Sequence, residues 1–240
     1  MKVYRSDLAH CPDARGAVVV IDVLRAFTTA ALAFARGARE IIAIDSIEAL
    51  GPLRVRYPRA LAIGSKAGGA PVAGFDLGNS PSQLDRFDLD GRVVILYTVG
   101  GVRGVAACAT ETQVLAAGLV NTRATALHLL ALAPPAVTLV VTGTWIDRDG
   151  DEDTACADRI EAILQGEDLP VAPYSARVRA SDFGRRFAAG TDPHLPKADL
   201  DYCAAVDVFA FAMPIEREGG RLTITATPVE LKRPAPRAKC

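Results

Sequence analysis

The chain has 240 residues, 50% of them hydrophobic, and its 27 Lys and Arg against 28 Asp and Glu leave a formal net charge of −1. That is enough apolar material for one large domain or two small ones, and charges spread this evenly exclude a basic stripe for nucleic acid or an anionic membrane, leaving a small molecule as the expected partner. Charges or the pair Pro134-Pro135 interrupt every long apolar stretch, and the opening MKVYRSDLAH lacks the apolar run of a signal peptide, so a soluble, cytoplasmic protein is expected.

In chain order, AVVVIDVL at 17–24 reads as a strand covered on both faces, followed by a helix over about 25–36 that Gly37 stops. Further strands are expected at 41–45 (IIAID), 60–64 (ALAIG) and 92–98 (RVVILYT), with a helix start near Arg103. A helix capped by Asn121, a strand at 138–143 (TLVVTG) and a helix over 153–165 stopped by Gly166 continue the alternation. Beyond about 170 the pattern loosens until VFAFAM at 208–213 and RLTITATPVEL at 221–231, which read as an antiparallel pair joined through the EGG turn at 218–220. The tail KRPAPRAKC is expected to be mobile. No repeat, linker or low-complexity block divides the chain, so a single α/β domain over 1–240 is expected: a three-layer α/β/α arrangement around a mostly parallel or mixed sheet.

In such sheets ligands bind outside the carboxyl ends of the strands, where helix N-termini attract anions. Asp22 and Arg25 fall at such an end, either as an ion pair or cap at the helix start or as part of a site. After the strand at 60–64 comes SKAGGAPVAGFDLGNSP, in which glycines allow close backbone approach and Asp76, Asn79 and Ser80 offer polar groups. After the strand at 92–98, Gly100 and Gly101 lead to Arg103, a combination suited to phosphate or sulfonate. It is neither a Walker loop nor G-x-G-x-x-G, which speaks against nucleotide binding. After the strand at 138–143 come Asp147, Asp149, Asp151, Glu152, Asp153 and Asp158, which serve either as a solvated, dipole-complementing helix start or, through one or two members, as ligands for Mg²⁺. Gly150 is fourth from Asp147, where an EF-hand needs glycine at the sixth position. Cys11, Cys108, Cys156, Cys203 and Cys240 form no CxxC pair, and His10, His128 and His194 are scattered, so a disulfide framework and a zinc site are not expected; a hard ion on oxygen ligands fits better.

Taken in order, VVIDVLRAFTTA, GFDLGNSP, YTVGGVRG and GDEDTACADRI resemble the 2-phosphosulfolactate phosphatase family, Mg²⁺-dependent phosphatases associated with coenzyme M biosynthesis. The likeness runs from about 17 to 165 and extends into the C-terminal strands. It implies a phosphatase releasing phosphate and sulfolactate, with Asp22, Glu152 and Asp153 on Mg²⁺ and Arg25 and Arg103 on the anionic groups of a small phosphorylated substrate. Asp76, Asn79, Ser80, Gly100 and Gly101 would complete substrate binding, and water would attack the phosphorus directly. The resemblance also implies an Asn-Gly-Thr-Arg segment where this chain has Gly100-Gly101-Val102-Arg103, and a Gly-Glu pair where it has Gly64-Ser65. Two alternatives stay open: a non-catalytic anion-binding paralogue, and a phosphatase for another phosphorylated organic acid. All four segments are expected to meet at one end of the sheet, and the apolar content is compatible with a homo-oligomer of undetermined size.

Overall fold

A computed structural model describes residues 1–109, 112–144 and 148–230. Asp147 of the acidic loop, and the tail from Leu231 to Cys240, lie outside the described residues. The first half of the chain forms β1 (Lys2–Asp7), β2 (Ala17–Ile21), α1 (Ala26–Ala35), β3 (Glu40–Ile44), α2 (Leu50–Arg56), β4 (Leu61–Ser65), β5 (Val93–Thr98) and α3 (Gly101–Ala107). Then come β6 (Val114–Ala117), α4 (Thr122–Leu132), β7 (Ala136–Val141), α5 (Asp151–Leu164), α6 (Ala172–Ala180), α7 (Asp182–Ala189) and α8 (Lys197–Cys203). Strands β8 (Phe211–Glu218), β9 (Arg221–Ile224) and β10 (Thr227–Pro228) end the described chain.

The near-continuous apolarity of the inner strands has its expected cause, coverage on both faces. Val18 and Val20 pack into one cluster with α1 and α3, whereas Ala17, Val19 and Ile21 pack into another with α4, α5 and the helices α6 to α8. On the far half of the sheet Ile42 and Ile44 turn to a third cluster with Leu50 of α2, while Ile41 and Ala43 join the first. Helices therefore cover both sheet faces, giving the three layers. No helix among the described residues is long and apolar enough to cross a membrane.

Strand order is β1-β7-β2-β6-β8-β9-β3-β5-β4, with β10 added to β8. Two parallel blocks, β1-β7-β2-β6 and β3-β5-β4, are joined in mid-sheet by the antiparallel C-terminal hairpin β8–β9. The two antiparallel joints and the hairpin between them reverse one block against the other, which the local sequence patterns do not announce. Adjacent strands rotate by roughly 20–25°, so the five steps from β2 to β5 accumulate a turn on the order of 100°. Carboxyl ends from both reversed blocks border one pocket.

The C-terminal third differs from expectation. Where the pattern loosens, three short helices form: Pro173 occupies the first turn of α6, and the Ser181 hydroxyl caps α7 by accepting from the Gly184 N–H at 3.0 Å. The strand expected at 208–213 begins only at Phe211, because Asp207 takes a left-handed φ of 54° and turns the chain just before it. The strand expected over 221–231 ends as β9 at Ile224 and resumes as the two-residue β10. Strands β1 and β6 were not anticipated; β6, VLAA, is only four residues long.

Candidate active site

The pocket lies where β2 ends at Asp22, β7 at Thr142 and Gly143, β4 at Ser65 and Lys66, and β5 at Thr98, Val99 and Gly100, beside the first turn of α5. Its volume of about 60 Å³ accommodates a handful of water-sized groups, enough for one tetrahedral anion and its close neighbours.

Three buried carboxylates form one wall. Asp22 accepts from the Ala26 N–H through Oδ1 (3.0 Å) and from the Gly101 N–H through Oδ2 (2.9 Å). It therefore both caps α1 and ties the loop after β5 to the end of β2. Asp153 accepts from the Val23 N–H (2.8 Å) and the Thr142 N–H (3.0 Å), clamping the ends of β2 and β7 together. Glu152 is only 1% exposed, and its Oε2 has no hydrogen-bond partner among the described residues. Burial pushes the Glu152 carboxyl up to about 7. Burial also raises Asp22, opposed by its two backbone N–H donors, and it raises Asp153 well above the ordinary range, assisted by the neighbouring charges of Glu152 and Asp22.

Absent side chains keep the wall open. A Cβ on Gly100 would come within 3.2 Å of Asp22 Oδ2, and one on Gly143 would meet Glu152 Oε1 at 2.9 Å and Asp153 Oδ2 at 3.1 Å. Among the described residues no group of three or more His, Cys, Asp or Glu side chains is arranged to hold a metal ion. Mg²⁺ does not require one, since it keeps waters and is held by one or two carboxylates plus the substrate's phosphate. An orphaned buried carboxylate oxygen beside glycine-cleared space, in an all-oxygen donor set, fits such an ion.

Cations share this pocket. Arg25, Lys66 and Arg148 line the pocket. Arg25 does not pair with Asp22: its Nη1 donates to Asp199 Oδ2 (2.6 Å), its Nη2 to the Gly69 carbonyl (3.2 Å), and its guanidinium lies 5.1 Å from the centroid of the Phe187 ring. The approach of Arg25 requires glycine at position 69, where φ is +96° and a Cβ would sit 2.9 Å from Arg25 Nη2. Arg148 lies over the Phe183 ring at 4.6 Å. Asn79 also lines the pocket; its Oδ1 is buried with no partner among the described residues, while its backbone N–H donates to Ser65 Oγ at 2.7 Å.

Of the residues expected in the site, Asp22, Arg25, Asn79, Gly100, Glu152 and Asp153 do line the pocket. Asp76 lies away from it, accepting from the Ala62 N–H (2.8 Å) and Arg54 (3.0 Å) as a clasp of its own loop. Ser80 is buried behind the wall and donates to Asp199 at 2.9 Å. Gly101 contributes its N–H to Asp22, while Arg103 is exposed and borders an adjoining hollow that shares Thr98 and Val99 with the pocket. Cys11, Cys108, Cys156 and Cys203 are buried free thiols outside the lining. Sequence reasoning passed over Lys66, Arg148 and Thr142, although each adjoins a segment that drew attention. Asp199 sits in a seven-residue helix and carries no local signal at all.

Residues 4–218 match the family described as 2-phosphosulpholactate phosphatase. The chain is 30% identical over 207 residues to a probable 2-phosphosulfolactate phosphatase of Bacillus subtilis, covering 86% of this chain and 90% of that protein. It is 35% identical over 221 residues to one of Synechocystis (85% and 90% covered) and 32% identical over 218 residues to one of Gloeobacter violaceus (85% and 89% covered).

Proposed function

Because the chain belongs to the 2-phosphosulfolactate phosphatase family, a family of phosphoric monoester hydrolases, we propose that it hydrolyses 2-phosphosulfolactate to sulfolactate and phosphate with the help of Mg²⁺. The observation that carries this reading is that Asp22, Glu152 and Asp153 line one phosphoryl-sized pocket together with Arg25, Lys66 and Arg148. Asp22, Glu152 and Asp153 would hold the ion, Glu152 through an oxygen with no partner among the described residues, while Asp22 and Asp153 also fix the surrounding loops through backbone N–H groups. The bound ion supplies charge neutralisation at the phosphoryl oxygens.

The chain's own groups do the rest. Two of the five N–H donors of Arg25 serve Asp199 and Gly69, which leaves three for an anion in the pocket. Lys66 and Arg148 add positive charge where negative charge builds on the transferring group. Arg103, one hollow away, is placed for a second anionic group such as a sulfonate. Water is the nucleophile in this reading: its oxygen bonds to phosphorus, the ester P–O bond breaks, one proton of that water passes to the departing alkoxide to make the sulfolactate hydroxyl, and the remaining O–H leaves with the hydrogen phosphate. Asp22 is followed by Val23 and Leu24, so it lacks the D-x-D context of an aspartyl-phosphate nucleophile, and both its oxygens are anchored. Sulfolactate made this way would feed coenzyme M biosynthesis.

The test is phosphate release from 2-phosphosulfolactate by the pure protein with Mg²⁺, before and after EDTA. Release that EDTA abolishes and Mg²⁺ restores is expected. Release only from other phosphorylated acids would move the substrate assignment, and tight anion binding with no release from any ester would overturn the catalytic reading.

A further inference from the structure

Arg25 and Asp199 form a buried ion pair, with side chains 3% and 0% exposed, joining residues far apart in the chain. A salt bridge so deeply buried is costly unless its remaining lone pairs are satisfied, and those of Asp199 are. Its Oδ2 accepts from Arg25, while its Oδ1 accepts from Ser80 Oγ (2.9 Å), the Ser82 N–H (3.0 Å) and Ser82 Oγ (2.5 Å). One carboxylate thus ties together the start of α1, α8 and the serines that end the GFDLGNSP loop, whose Asn79 lines the pocket. Phe187 of α7 backs the same guanidinium.

From this geometry we infer that Asp199 is a positioning residue for anion binding: it holds Arg25 in one orientation, with the donors that Asp199 and Gly69 leave free turned to the pocket. This rests on the phosphatase reading for the identity of the anion, but the contacts of Asp199 do not depend on turnover. The α6–α8 region contributes no carboxylate to the pocket wall, yet through Asp199 and Phe187 it determines where the pocket's most deeply buried cation points. Loss of the Asp199 charge leaves Arg25 in place chemically but unclamped, so binding suffers more than the chemical step.

The experiment measures the Kd for inorganic phosphate, and KM and kcat for 2-phosphosulfolactate, in the wild type, Asp199→Asn, Arg25→Lys and the double variant. Because a charge-assisted contact is lost, Asp199→Asn is expected to raise phosphate Kd and KM by about tenfold or more, with kcat falling less than about threefold. The double variant is expected to be no worse than Arg25→Lys alone, since both changes act through one guanidinium. A folded Asp199→Asn protein that binds phosphate as the wild type does, or losses that multiply in the double variant, would overturn the proposal. If Asp199→Asn does not fold, Ser82→Ala decides: it loosens Asp199 without unpairing Arg25, and an unchanged phosphate Kd there overturns the proposal, whereas a rise of about threefold supports it. A wild type that binds phosphate but releases none from the ester would sink the phosphatase reading alone, with the phosphate Kd values still judging Asp199.

Discussion

Helix α5 carries acidic residues on two faces, and the two faces live under different physics. On the outer face Asp151 and Asp158 pair with Arg177 at 2.6 Å, Asp158 also pairs with Arg5 at 2.8 Å, and Glu161 pairs with the same Arg5. These groups are about one-third exposed, so water screens them, and each such pair contributes about 0–1 kcal/mol. On the inner face Glu152 and Asp153 are 1% and 2% exposed. Among the described residues neither has an arginine clamp of that kind: Asp153 rests on backbone N–H groups, and Glu152 Oε2 has no partner. Residue type is the same on both faces. Burial raises the two inner carboxyls above their ordinary range and leaves the three outer ones as a solvated lattice.

The largest effect that would break this comparison comes from Asp22, which shares the pocket wall with the inner carboxylates. Asp22→Asn is expected to lower phosphate release by at least about 100-fold, since metal-centred charge stabilisation contributes several kcal/mol. The amide also loses one of its two backbone donors, with a modest fall in stability. Undiminished specific activity with unchanged Mg²⁺ dependence would remove Asp22 from the site.

Glu152→Gln sharpens the contrast because it keeps the shape and deletes a buried charge. Phosphate release should drop by about 100-fold while the melting temperature holds or rises slightly, as the orphaned ionised oxygen disappears. A steep loss of melting temperature with intact turnover per folded molecule would make Glu152 a structural group.

Asp153→Ala should act first on stability. It strips partners from the buried N–H groups of Val23 and Thr142, at a cost of about 1–3 kcal/mol each. Urea unfolding reads the loss, and a change below about 1 kcal/mol would show that the clamp between β2 and β7 is not needed.

The smallest effect belongs to the outer face. Glu161→Gln should change stability by no more than about 1 kcal/mol, less in high salt, and leave phosphate release unaltered. A large effect on release would show that the two faces are coupled and that the division drawn along α5 is false.

Much of the architecture was legible because coverage leaves a local trace. Five buried residues in a row mark β2, and glycines past the ends mark the stops of α1 and α5. Asp22 stood out because a charge directly after such a run must be solvated, paired or used. The inner carboxylates stood out less, since six acidic residues crowd one stretch and nothing local says which two face inward.

The sequence by itself determined the α/β alternation, the placement of Asp22 directly after a strand and of an acidic cluster containing Glu152 and Asp153 at a helix start, and the glycine-rich loops between them. Tertiary structure alone decided that the β8–β9 hairpin enters the middle of the sheet and reverses one parallel block against the other. It also decided that Arg25 answers to Asp199, 174 residues away, and not to Asp22 three residues before it. The reason is one of range. Periodicity reports whether a segment is covered, because every neighbour along the chain shares that environment, whereas a buried charge takes its partner from whichever distant element closes over it.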